Sequence, residues 1–311
     1  MDKPLISYVV TTHNIEKYVR ESVECAFAQT YSPLEIVLSD DCSTDNTFDI
    51  MKKMLEEYTG PHKIVLNCND YNLGITKHMN KVFLELSHGE IIVVAHGDDI
   101  SECNRTQLMA DYLLENHKCT QVACSAIVVD ENMNPYSDFL QKNFHVKEEH
   151  TYHFESGAHV SIGFSAFRKS VMEFFGPLSD SCPTEDDPIG FRAILLGDIA
   201  FLPQKLIKYR KHSGSNSNPD QFYRFPLEEI YNQNIRDMKM AEEKKIIGPE
   251  QAKRERERLY TSKELRKVYR IYFANRTFGN LFKLVTYKGI SLRTRIYYVR
   301  EHLEYLSNKE K

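Results

Sequence analysis

The sequence has no run of about 18 apolar residues, so no segment is expected to cross a membrane as a helix. Its first stretch, MDKPLISYVVTTHN, holds an apolar run too short for a signal peptide, and no export leader is expected. No C-x-x-C pair occurs among the seven cysteines, an odd number. That scatter argues against a disulfide framework or a structural zinc, and for reduced thiols in a cytosol-like compartment. Excess positive charge is also missing: the net charge is −4, so nothing points to nucleic acid. What is present is ordinary for a soluble globular chain, with 41% hydrophobic and 27% charged residues. A length of 311 residues accommodates one large domain, or one domain with a helical appendage.

The first half alternates short apolar runs with helical patterns. Strands are expected over Leu5 to Thr12, Leu34 to Ser39, 63–67, 90–95 and 120–129. Helices are expected between them, over 15–29, 44–58, 75–86 and 105–117. This alternation implies a mostly parallel sheet covered on both faces, with ligands beyond the carboxyl ends of its strands. Residues 130–160 lose the pattern and include His145, His150, His153 and His159. Their spacing matches no metal motif, and a surface loop over an acceptor site is the better reading. Regular structure returns from about Ser161 to Tyr209, and SGSNSNPD then breaks the chain. Residues 220–311 read as a helical extension with a basic and aromatic tail.

Three acidic clusters sit where chemistry is expected. In LSDDCSTDNT, Ser43 or Thr44 can cap the next helix and Asp45 suits its dipole, which leaves Asp40 and Asp41 at a strand end unexplained. A carboxylate there can accept hydrogen bonds from a base edge or a ribose. In VVAHGDDIS, two adjacent carboxylates follow a buried strand. That pair is either a solvated turn or a site for a hard cation shared with substrate phosphates. In CPTEDDPIGFRAILLG, Glu185, Asp186 and Asp187 lie at or just before a helix N-terminus, where the dipole alone would favour them. Arg210, Lys211 and His212 of KYRKHSGS follow another apolar stretch and can meet a phosphate or a metal.

These segments, with SYVVTTHNIEKYVRESVECAFAQTYSPLEIVLSDDCSTDNT, NDYNLGITKHMNKVF and GFSAFRKSVMEFFGPL, occur in an order that resembles the family-2 inverting nucleotide-sugar glycosyltransferases of GT-A fold. The resemblance covers about residues 4–217 and rests on six motifs in sequence order. It implies a Rossmann-like α/β catalytic domain over 1–219, with a nucleotide-sugar half to about 129 and an acceptor half over 130–219. By the same resemblance, Thr11, His13 and Asn14 line the nucleotide pocket, and Asp40 reads the base with Asp41 nearby. Asn72, Gly74 and Lys77 border the nucleotide and its diphosphate. Asp98 is the principal metal ligand, Asp186 the general base, and His212 a further metal or diphosphate contact. The family usually has aspartate where this chain has His96. With Gly97, His96 is assigned to the nucleotide sugar, by contact with ribose or phosphate. As a neutral imidazole it would suit Mn2+ better than Mg2+.

The implied partners are a nucleotide-sugar donor, most often a UDP-sugar, and a glycan or lipid-linked glycan acceptor of cell-surface polysaccharide synthesis. A nucleotidyltransferase would need a glycine-rich loop after the first strand, which TTHNIEKYV lacks. A catalytically inactive nucleotide-binding relative or scaffold protein stays open because of His96. Residues 265–306 interleave basic with aromatic and aliphatic side chains. They suit either a bundle, on the catalytic domain or a second subunit, or docking at an anionic membrane surface. The expected location is cytoplasmic, or peripheral at the inner face of the cell membrane.

Overall fold

The computed structural model describes residues 3–140, 144–146, 161–214, 226–288, 290 and 292–309. His150, His153, His159 and most of the expected acceptor loop lie outside the described residues, as does the boundary at 219–220.

The chain begins with β1 (Ile6–Thr12), α1 (Val19–Phe27), β2 (Leu34–Asp40), α2 (Thr47–Glu56) and β3 (Lys63–Cys68). α3 (Ile75–Lys81) continues into one π-helical turn over Val82–Leu86. β4 (Ile91–His96), β5 (Ile100–Ser101), α4 (Arg105–Glu115) and β6 (Cys119–Val129) follow. Two short strands, β7 (Pro135–Phe139) and β8 (Phe144–Val146), occupy part of the stretch expected to be irregular; they pair with β6 and with the later long strand. Then come β9 (Ser165–Arg168), α5 (Ser170–Phe175), α6 (Asp186–Leu196) and that long strand, β10 (Asp198–Arg210). Four helices complete the chain: α7 (Leu227–Glu243), α8 (Pro249–Ala274), α9 (Phe278–Val285) and α10 (Leu292–Lys309).

The strands form one sheet of order β3-β2-β1-β4-β9-β6-β10-β5. The expected parallel arrangement holds across β3, β2, β1 and β4. β9 then enters antiparallel to both β4 and β6, so the sheet is mixed in its second half. Burial on both faces explains why β1, ISYVVTT, is apolar or β-branched at every position but Ser7. Tyr8 and Val10 join a core with Val19, Val23 and Ala26 of α1 and Met109 of α4. Val9 faces the opposite core, with Phe83, Ile189 of α6 and Met238 and Ala241 of α7. The C-terminal helices are therefore not a loose appendage at their start. α7 shares the core on this face of the sheet, while Leu265, Tyr269 and Tyr272 of α8 and Leu281 and Leu284 of α9 build a separate small one. Two local signals set the ends of these helices. Gly248 precedes Pro249 at the first position of α8, and the Thr277 side chain accepts the Asn280 amide at the start of α9. All seven cysteines are free in this structure.

Candidate active site

The carboxyl ends of β1, β2 and β4 lie side by side, in register Thr12–Asp40 and Thr11–His96. Two loops leave this edge and are stitched together. The Asn14 amide donates to Ser43 Oγ at 2.8 Å, and the Thr44 amide donates to Asn14 Oδ1 at 2.8 Å. The Ile15 amide donates to Thr47 Oγ1 and the Glu16 amide to Asp45 Oδ2, at 2.9 and 3.0 Å. Glu16 Oε2 in return accepts the Asn46 amide at 3.0 Å. Ser43 and Thr44 therefore do not cap α2; its first amide, Thr47 N, is accepted by Asp45 Oδ1 at 3.0 Å.

Asp40 is fully buried within this lock. Its oxygens accept Thr12 Oγ1 at 2.8 Å, Ser43 Oγ at 2.6 Å and the Ser43 amide at 2.7 Å. Asp41 is nearly as buried and accepts Asn69 Nδ2 and the amides of Leu73 and Gly74, at 2.8, 2.8 and 2.9 Å. Charged acceptors with several donors tolerate such burial. Gly74 fits there because its φ of +77° is a conformation other residues rarely adopt. The exposed rim is made by His13, Asn14 and Asn72. His13 Nδ1 faces the Asp41 carbonyl at 3.0 Å and so carries the proton. Nε2 is then free to accept the amides of Asn72 and Asn14 at 3.0 and 3.2 Å. Lys77 stands apart from this group, paired with Asp180 at 3.1 Å, with both side chains well exposed.

At the end of β4, Thr11 Oγ1 lies 3.4 Å from His96 Nδ1, and the Thr11 carbonyl accepts the Gly97 amide at 3.0 Å. A side chain at position 97 would collide with Thr12 and Ile15, so the close turn requires glycine. Asp98 Oδ2 accepts His212 Nε2 at 3.0 Å. Burial works against ionising Asp98, but that hydrogen bond and the positive character of His96 and His212 outweigh it and hold the carboxyl below its ordinary range. Asp99 goes the other way. Burial first, and then the Asp98 charge, push it well above its ordinary value. Its Oδ1 accepts the Arg210 amide at 2.9 Å, while the buried Oδ2 has no partner among the described residues. Tyr18 packs on this end of β10, with the His212 ring centroid 4.8 Å away and the Arg210 guanidinium 4.6 Å above its ring. The two neighbouring carboxyls are thus drawn apart, one held low beside histidine and the other pushed up by burial and by its neighbour's charge.

The acidic helix start approaches the same place. Asp186 Oδ1 accepts the Ile162 amide at 2.6 Å. The next residue, Gly163, presses its backbone against the His96 ring, where no side chain would fit. Buried Arg105 pins this turn by donating to the carbonyls of Gly163 and Val94, at 2.9 and 2.7 Å. One turn of chain, residues 161–164, therefore touches both Asp186 and the β4 end. Glu185 beside it is buried, with Oε2 unpartnered among the described residues. Burial, followed by the Asp186 charge, pushes its carboxyl up to about 8. Asp187 faces the C-terminal helices, accepting Asn234 Nδ2 at 2.8 Å and pairing with Arg266.

The chain has relatives among known proteins. The family model "Glycosyl transferase family 2" matches residues 7–175, more than half of the chain. The chain belongs to glycosyl transferase family 2. Glycosyltransferase GlyG of Streptococcus pneumoniae serotype 4 is 26% identical over 250 residues, 76% of this chain and 81% of its own length. The uncharacterized glycosyltransferase MJ1057 of Methanocaldococcus jannaschii is 28% identical over 174 residues, 55% of this chain, and the match spans only 58% of that relative. Among solved structures, S. aureus TarS 1-349 in complex with UDP-GlcNAc superposes with a TM-score of 0.63 at 18% identity, covering 96% of this chain and 80% of TarS 1-349. At that identity the likeness establishes the GT-A-type fold.

Several residues of this family 2 glycosyltransferase that shape the site escaped sequence reading. Glu16, Ser43 and Asp45 form the loop lock, but their types fit ordinary capping equally well. Gly163 meets His96 across 67 positions of sequence, and Arg266 reaches Asp187 across 79. Neither contact leaves a local signal.

Proposed function

We propose that this glycosyltransferase moves a sugar from a nucleotide-diphosphate sugar, with UDP as the nucleotide, to a hydroxyl of a glycan or lipid-linked glycan in cell-surface polysaccharide synthesis. The transfer inverts the anomeric carbon. The turn over residues 161–164 carries this reading, because it holds Asp186 and His96 on adjacent residues. Asp186 is the general base. It takes the proton of the acceptor hydroxyl as that oxygen bonds to the anomeric carbon and the bond to the diphosphate breaks. Glu185, kept protonated, leaves this corner with one negative charge rather than two. His13, Asn14 and Asn72 present polar atoms to the nucleotide, while Asp40 and Asp41 hold the wall behind them.

Asp98 and His212 fit a divalent cation, with one oxygen and one nitrogen donor 3.0 Å apart, a set that suits Mn2+ or Mg2+. No group of three such ligands occurs among the described residues, so the donor diphosphate would complete the coordination. When bound, the cation supplies charge neutralisation at the leaving diphosphate.

Catalysis is assigned to residues 1–219 and a docking role to the end of the extension. None of the described helices is long and apolar enough to cross a membrane. α10 instead exposes Leu292, Ile296, Val299 and Leu303 along one face, and α9 exposes Phe278 and Phe282. Lys283, Lys288 and Arg300 are exposed in the same region, while the acidic Glu301 is paired with Arg276 at 3.3 Å. Exposed apolar side chains with exposed cations in the same segment suit an anionic bilayer surface on the cytoplasmic side, where a lipid-linked acceptor would lie. Phe282→Glu with Ile296→Glu should abolish salt-sensitive co-sedimentation with anionic vesicles. If full-length protein ignores vesicles and these changes instead turn a dimer into a monomer, the face is a contact between copies.

The transfer reading is tested by incubating the protein with UDP-glucose, UDP-galactose, UDP-N-acetylglucosamine and UDP-glucuronic acid and following UDP release. Asp186→Asn should lower release by about 10²-fold or more with UDP binding intact. Near-normal release in that variant would move the base elsewhere. UDP binding without release from any donor would favour an inactive relative.

A further inference from the structure

The segment that carries the base is held by the C-terminal extension at several points. Ahead of α6, the Ser179 amide donates to Gln233 Oε1 at 2.8 Å and Ser181 Oγ donates to Glu229 Oε2 at 2.7 Å, both on α7. Within α6, Arg192 is fully buried and pairs in a fork with Asp237 of α7, at 2.8 and 3.1 Å. The first turn of α6 is the most exacting point. There Asp187, directly after the base, is gripped from two sides: by Asn234 of α7 and by the Arg266 guanidinium of α8. The Arg266 and Asp187 side chains are only 13% and 20% exposed, so water screens this pair little.

We propose that Arg266 is a positioning residue for the transfer reaction, and that the C-terminal extension thereby braces the turn of the catalytic domain that carries the base. The proposal rests on Asp186 as the base. Asp186 and Asp187 are consecutive on one helical turn and point in different directions. A rotation of that turn that frees Asp187 also swings the Asp186 carboxylate away from the Ile162 amide. Arg266 opposes the rotation, and it neutralises Asp187, so Asp186 carries the unpaired charge of the pair. Arg266 reaches no closer to the reacting atoms than Asp187 and acts through the backbone of this turn.

The test uses the full chain and the UDP-sugar released fastest in the panel above. Arg266→Met keeps the aliphatic stem and removes the cation. It should lower kcat by about tenfold to a hundredfold, because small misplacement of a reacting group is that damaging. The donor KM and the Kd for free UDP should stay within about twofold, since His13, Asn14 and Asn72 are held by hydrogen bonds among residues 13–72. Arg266→Lys should recover part of the loss. In the Asp186→Asn background, Arg266→Met should cost nothing further, because a residue acting through Asp186 has nothing left to position. Unchanged kcat in Arg266→Met, or a full additional loss in the Asp186→Asn background, would overturn the proposal. Asp187→Asn is a second route. It keeps the shape that Asn234 packs against, and it should reproduce the kcat loss if the charge pair holds the turn. Normal kcat in both Arg266→Met and Asp187→Asn would reject the brace even where Asp186→Asn is inactive. An active Asp186→Asn would instead reject the reading on which the brace depends.

Discussion

Replacing Glu185 with glutamine should stabilise this protein by an amount that grows with pH. Glu185 is 5% exposed, its Oε2 has no partner among the described residues, and its carboxyl is raised from an ordinary 4.5 to about 8. In the unfolded chain the group ionises near its ordinary value; in the folded chain it keeps its proton. Between those values the folded state binds more protons than the unfolded state, so stability falls as pH rises, by about 1.4 kcal/mol per unit. The fall begins near the ordinary value and levels off above about 8. Over that window the loss approaches about 5 kcal/mol, and local relaxation around the group would reduce it to about 2–4 kcal/mol. Glutamine keeps the shape and the neutral charge and has no such slope. Thermal unfolding of wild type and Glu185→Gln, followed by far-UV circular dichroism from pH 5 to 9, reads the difference directly. The two Tm values should nearly coincide at pH 5 and separate by roughly 4–8 °C at pH 8, at about 2 °C per kcal/mol for a chain of this size. A separation that does not change with pH would show that Glu185 is ionised in the folded protein, and the account of a singly charged acidic corner would fail.

Other expected outcomes follow from single contacts. Arg192→Leu strands Asp237 in the core and should cost about 3–5 kcal/mol in urea unfolding, whereas a loss under about 1 kcal/mol would mean that water reaches the site. Gly163→Ala would push a methyl group into the His96 ring. It should lower UDP release while far-UV circular dichroism stays native; unchanged release would show that His96 can move freely. Asp98→Asn and chelation should each reduce UDP release by about 10²-fold, the effect of losing several kcal/mol of charge stabilisation. Release that survives both treatments would remove the cation from the reaction.

How much of this was legible in the sequence depends on the range of the interactions. Buried strands such as IIVVAH announce themselves, because both faces of the sheet demand apolar side chains. The acidic clusters were legible for the same reason, as charges placed directly after such runs. Their individual duties were not. The resemblance assigns Asp40 to the base; the fold adds that its carboxylate accepts Thr12 and Ser43, while His13, Asn14 and Asn72 make the exposed rim beside it. β9 was missed as an antiparallel insertion because SAFR is too short to carry a direction. The packing of α7 into the catalytic core was hidden as well. Met238 and Ala241 sit in a charged helix whose apolar face suits any partner, and only the fold shows that the partner is α6.

The most direct test of the central claim is the configuration of the glycosidic bond at the moment it forms. Proton NMR of the product made from an α-linked UDP-sugar, recorded before anomers can equilibrate, distinguishes the two outcomes by the coupling constant of the anomeric proton. A single displacement with Asp186 as base predicts a β-linked product from wild type and almost no product from Asp186→Asn. An α-linked product would contradict that mechanism, whatever the activity of the variant.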